Sequence, residues 1–97
     1  MTHELKIRPE YFKAVVLGDK TFEIRKNGRN FKVGDVIVLH EWNEKGGYTG
    51  KHTLVNITYV MTDSEFVKNG FAVLGIKLCS VRQSGNRLLF VESKKGV

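Results

Sequence analysis

Gly18-Asp19-Lys20-Thr21-Phe22-Glu23-Ile24-Arg25 reads G-x-K-x-x-E-x-R, which sets the motif's three ionisable side chains, Lys20, Glu23 and Arg25, on a turn and the strand that leaves it. Phe22 and Ile24 alternate with Thr21, Glu23 and Arg25. A strand of period two therefore sets the apolar pair on one face and the polar three on the other, roughly 7 Å between alternate residues. Turning the apolar pair inward makes the polar row a candidate site. Strict alternation puts Lys20 on the face of Phe22, so Lys20 joins Glu23 and Arg25 only if the chain bends at Gly18 and Asp19.

Outward from this motif, Leu5 and Ile7 alternate with Glu4 and Lys6 as a first strand that closes at Arg8, because a residue before proline is held extended. Pro9 opens a helix whose stripe is Tyr11, Phe12, Val15 and Val16, with Tyr11 and Phe12 assigned to the core and Gly18 as the left-handed residue after the last turn. Arg8 is a poor cap, so docking must stabilise this helix. Lys26-Asn27-Gly28-Arg29-Asn30 reads as a basic hairpin tip, and Val33-Gly34-Asp35 as a second turn before a strand from Val36 to Trp42.

Asn43 to Gly50, with three glycines and no periodicity, reads as a mobile loop carrying Tyr48. Thr53 to Met61 is a long strand with Val55, Ile57, Tyr59 and Met61 on its apolar face, and Thr62 to Glu65 starts a short second helical turn. Phe71 to Leu78 has the length and apolarity of a central strand, with Cys79 a half-buried strand residue at its end. Five to six short strands, one early helix and that short turn describe an α+β, mainly β chain. A small β-barrel with a helix across one end is the first architecture, and a two-layer sheet and helix the alternative.

The formal charge of +6 favours an anionic partner, RNA or a nucleotide-like ligand first, and a protein partner is the further possibility. Residues 80–97 carry Arg82, Arg87, Lys94 and Lys95 against Glu92, a net +3, and read as a basic extension to a domain over 1–79. Arg87 to Val91 is either a further edge strand or part of a loosely attached hairpin. No apolar span of 18 residues and no basic-then-apolar leader is visible, so the expectation is a cytoplasmic protein with no membrane partner. One cysteine and three histidines without ligand spacing give no metal or cofactor motif.

The motif, followed by Val33-Gly34-Asp35 at the head of a strand, resembles the activating-signal-cointegrator homology (ASCH) family of PUA-like β-barrels. His3-Glu4-Leu5-Lys6-Ile7, Phe22-Glu23-Ile24-Arg25-Lys26, Glu41-Trp42 and Gly47-Tyr48-Thr49-Gly50 resemble more closely a small bacterial and phage-associated subfamily of unassigned function, over residues 3 to 78. The resemblance implies an RNA-related role, with a nucleotide or modified base held beside the motif. Some ASCH relatives are amidohydrolases that deacetylate acetylcytidine with a lysine corresponding to Lys20 and a threonine three residues later. Here that position is Glu23, without a hydroxyl.

The candidate ligand residues are Lys20, Thr21, Glu23 and Arg25, with Trp42 and Tyr48 to stack on a base and Arg29, Lys32 and Lys51 to track a backbone. Trp42, ending an apolar strand, has packing as its competing role. A hydrolase would use Lys20 and Glu23 as a proton-transfer pair. Together these residues describe a binding cleft edged by Lys20, Glu23, Arg25 and the Gly46–Gly50 loop. The hydrolase and a phage protein-interaction module are its alternatives.

Overall fold

The computed structural model describes residues 1–83 and 87–88, with side chains for residues 1–79. Strand β1 (Thr2–Ile7) buries His3, Leu5 and Ile7 in strict alternation. Helix α1 (Pro9–Val16) follows an extended Arg8 that offers no side-chain cap, and proline fills its first turn. Phe12, Val15 and Val16 are buried, but Tyr11 is 50% exposed and is not a core residue. Tyr11 sits at the edge of the stripe, on the flank that the sheet leaves uncovered. Past the helix Gly18 takes φ +80°, and the amides of Asp19 and Lys20 both donate to the Ala14 carbonyl (2.9 and 3.0 Å). This reversal supplies the bend that Lys20 requires.

Strand β2 (Phe22–Lys26) does not form a hairpin with the strand after it. The Asn-Gly pair lies in a single 3-10 turn, Asn27–Arg29, and Asn30 is left-handed (φ 52°). The chain crosses over and enters β3 (Val36–Asn43), which runs parallel to β1 and antiparallel to β4 (Gly47–Met61). Strand β5 (Phe71–Gln83) pairs with β4 along most of its length and with β2 through residues 71–75. It continues past residue 79. A two-residue strand β6 (Arg87–Leu88) pairs with Arg82 and Gln83, and the rest of the 80–97 extension, including residues 89–91, lies outside the described residues.

The strand order is β1-β3-β4-β5-β2, so β1 and β2 are opposite edges. Yet Arg25 Nη2 of β2 donates to the Lys6 carbonyl of β1 at 3.0 Å. The sheet must therefore curl until its edges nearly meet, a half-barrel with α1 packed on its inner side. Ile37, Leu39, Val55, Ile57 and Leu74 are fully buried within it. No helix among the described residues is long and apolar enough to cross a membrane.

Four local expectations change. Residues 43–50 form a hairpin, with turn residues at 44–46 and Tyr48 already on β4 opposite Trp42. The register of β4 shifts between Ile57 and Tyr59, so Tyr59 is 60% exposed and Val60 packs on the core instead. Gly75 lies opposite this irregularity, where an added Cβ would sit 2.9 Å from Thr58 Oγ1. Residues 62–70 hold turns and no helix: Asp63 is left-handed, and Ser64 caps its own turn by accepting from the Phe66 amide (3.1 Å). Cys79 is exposed, because the face it occupies is the outer one.

The Val33-Gly34-Asp35 turn fastens the start of β1 to the head of β3. Asp35 Oδ2 accepts from His3 Nε2 (2.8 Å) and from the Lys32 amide (3.1 Å), while Oδ1 faces the terminal ammonium at 3.3 Å. His3 is buried and its ring lies 4.7 Å from that of Phe31. The His3 hydrogen bond, with smaller help from the Lys32 amide and the terminal ammonium, outweighs burial and holds the Asp35 carboxyl below the ordinary carboxylate range. A depressed folded-state value stabilises the fold above the unfolded carboxyl's value, about 3.9, and that contribution is lost as pH falls through the folded value. Asp35→Asn should therefore lower the melting temperature at pH 7 and flatten its fall between pH 5 and 2. Parallel melting curves for the two proteins across that range would refute this linkage.

Candidate functional site

The alternation of β2 is real and its facing is inverted. Glu23 is 3% exposed, whereas Phe22 and Ile24 are 45% and 57% exposed. Period two states which residues share a face and not which face is inside. At this sheet edge the inward position is filled by a carboxylate with two cations, and the apolar pair lines an open cleft.

Glu23 Oε2 accepts from the Lys20 ammonium, and Glu23 Oε1 accepts from Arg25 Nε at 2.9 Å. Lys20 Nζ also donates to the Phe22 carbonyl (2.7 Å) and lies 4.9 and 5.7 Å from the ring centroids of Phe22 and Tyr11. Lys20 and Arg25 are themselves mostly buried, their side chains 16% and 23% exposed. An isolated buried carboxylate would cost several kcal/mol, and two cations bonding to separate oxygens offset that penalty. The second function of Arg25, its bond to the Lys6 carbonyl, makes the same guanidinium a tie between the sheet edges.

These residues border a cleft of about 530 Å³ lined by Lys6, Ile7, Arg8, Tyr11, Lys20, Phe22, Glu23, Ile24 and Arg25. The end of β1, the flank of α1 and the edge of β2 form its walls. Ile76 N–H donates to the Thr21 carbonyl (3.0 Å) and Asn27 N–H to that of Gly70 (2.9 Å), so odd-numbered residues of β2 exchange their backbone bonds with β5. The amide and carbonyl of Ile24 consequently point away from β5, toward the cleft. A donor and an acceptor thus stand on the wall next to two rings and four cationic side chains.

The other sequence candidates lie elsewhere. Thr21 is exposed and outside the cleft lining, as are Arg29, Lys32 and Lys51. The Gly46–Gly50 segment does not edge the cleft. Tyr48, 64% exposed, borders a separate depression with Glu4, Leu5, Lys6 and His40. Trp42 is half-buried in an adjoining cleft, with Lys6 Nζ 4.2 Å from its ring centroid. Sequence reasoning missed Lys6, Arg8 and Tyr11. Their signal was position: Lys6 and Arg8 flank Ile7 at the end of β1, and Tyr11 is the helix-stripe residue with a polar tip.

Glu23→Gln places an amide NH₂ against at least one cation and removes the charge that holds both. A loss of about 1.5–3 kcal/mol follows from the usual worth of hydrogen bonds to charged groups, about 4–8 °C of melting temperature per kcal/mol for a domain of this size. A melting temperature within a degree of wild type would show that Lys20 and Arg25 do not depend on Glu23.

Comparison with known proteins places this arrangement in a family whose description states no activity. Residues 2–76 match the model of a domain of unknown function, DUF3850. A protein of Escherichia phage P2, described as an uncharacterized 12.9 kDa protein in the GpA 3' region, is 39% identical over 67 residues, 69% of this chain. The chain spans 61% of the length of that phage relative. With the family model covering β1 through β4 and the start of β5, up to residue 76, the chain belongs to the DUF3850 family.

Proposed function

We propose that this protein is an ASCH-type, PUA-like domain that binds single-stranded RNA or a nucleotide-like ligand in the cleft between β1 and β2. One observation carries the reading: four cationic side chains line the cleft against a single acid, and that acid is already neutralised from both sides. Lys6, and Arg8 once it gives up its exposed pairing with Glu44, can offer charge to a phosphate. Tyr11 and Phe22 supply faces for a base, and the Ile24 amide and carbonyl can read its edge. The curled sheet with its early helix is compatible with a small barrel of this class, and the resemblance over residues 3 to 78 supports the assignment.

Hydrolysis is the weaker reading. Both Glu23 oxygens accept from a cation, so neither is poised to take a proton from water. No hydroxyl occupies the position three residues after Lys20, and Thr21 lies outside the cleft.

The binding reading predicts an affinity for single-stranded RNA that falls with salt, by about 0.7 in log K per log salt for each phosphate contacted. Lys6→Ala and Arg8→Ala should each weaken binding several-fold and lower that slope by about one contact's worth. Salt-independent binding, or none in the wild-type protein at low salt, would overturn the proposal.

A further inference from the structure

The cation-lined cleft does not end at Arg8. A second depression of about 500 Å³ lies against it, lined by Arg8, Glu10, Trp42, Glu44 and Lys45 among others, so Arg8 belongs to both. Lys6, which lines the first cleft, lies over the Trp42 ring. The two clefts therefore share a cationic wall, yet their own charges differ. The first is cationic, whereas the second balances Arg8 and Lys45 with Glu10 and Glu44.

A neutral cleft holding a half-buried indole suits a base and has no net attraction for a phosphate. The shared wall has the opposite preference. Arg8 is bound to Glu44 at 2.7 Å, but both side chains are more than half exposed, and exposed pairs of this kind are worth about 0–1 kcal/mol. A phosphate can take over that guanidinium at little cost.

We propose that Trp42 and its cleft form a second nucleotide subsite, so that the ligand is a strand of at least two nucleotides. One base enters beside Lys20, the linking phosphate lies on Lys6 and Arg8, and the next base stacks at Trp42. This rests on the cleft reading above. Beyond that reading, it specifies a chain rather than a free mononucleotide.

Trp42 is the one tryptophan beside three tyrosines, so fluorescence excited beyond the tyrosine absorption band reports on this subsite. A mixed-sequence RNA octamer should quench it, and 5'-mononucleotides should bind without comparable quenching. By anisotropy of a labelled octamer, Trp42→Ala should weaken binding about five- to hundredfold, the range of one lost base stack, and leave mononucleotide affinity unchanged. Trp42→Phe should retain most of the affinity, which separates stacking from a packing defect. Equal octamer affinity in wild type and Trp42→Ala, with binding still weakened several-fold by Lys6→Ala and by Arg8→Ala, would overturn the second subsite and leave the first. Absence of binding by both octamer and mononucleotides in the wild type would overturn both, and capture of an acidic peptide at Trp42 in their place would favour a protein partner.

Discussion

Burial of the Glu23 carboxylate is the constraint on which the site depends. A charge 3% exposed is tolerable only with compensation on both oxygens, and the chain supplies it from two directions. Arg25 comes from the same strand two residues on, where period two places it on the same face. Lys20 comes from the turn and reaches Glu23 only because Gly18 reverses the chain with two amides on Ala14 O. Arg25 then spends its remaining reach on Lys6 O, so neutralising one acid also draws the sheet edges together.

Strand β1 is held at both ends by such polar contacts. It is an edge strand whose strand partner is β3, in the parallel arrangement that is slightly weaker per residue. At its start His3 donates to Asp35, and near its end the Lys6 carbonyl accepts from Arg25. Between them Leu5 and Ile7 anchor it in the core. The consequence for the site is positional: the anchored segment is the one that presents Lys6 and Arg8 beside the cleft.

How much of this could be read from the sequence follows from which signals are local. The helix, its glycine stop and the bend that carries Lys20 toward Glu23 are set within a few residues and were legible. Which face of β2 is buried was not, because alternation is blind to direction and the apolar pair invited the opposite choice. Pairing of β2 with β5 depends on residues 71–75, far along the chain, while Asn27-Gly28 offered a strong false hairpin signal next door. The irregularity near Thr58 moves Val60 to the core and Tyr59 to the surface, and only Gly75 across the sheet hints at it. The glycines of 43–50 marked a real turn but exaggerated its length, since β-sheet pairing resumes at Gly47. His3 and Asp35 are 32 residues apart and no spacing rule joins them.

The internal ion cluster also decides which cations remain for a ligand. Lys20 and Arg25 each give two hydrogen bonds to Glu23 and to backbone carbonyls, so an incoming anion would have to compete with these shielded contacts for their charge. Lys6 lies over an aromatic ring and Arg8 holds an exposed glutamate, contacts of a kind worth at most about 1 kcal/mol each. Under the proposed reading, ligand charge would therefore be met first at Lys6 and Arg8, while Lys20, Glu23 and Arg25 hold the shape of the wall. A motif that stands out in the sequence can thus build the wall of a cleft while the cations freer to meet an anion, as the proposed reading requires, are the neighbours whose present partners are easiest to give up.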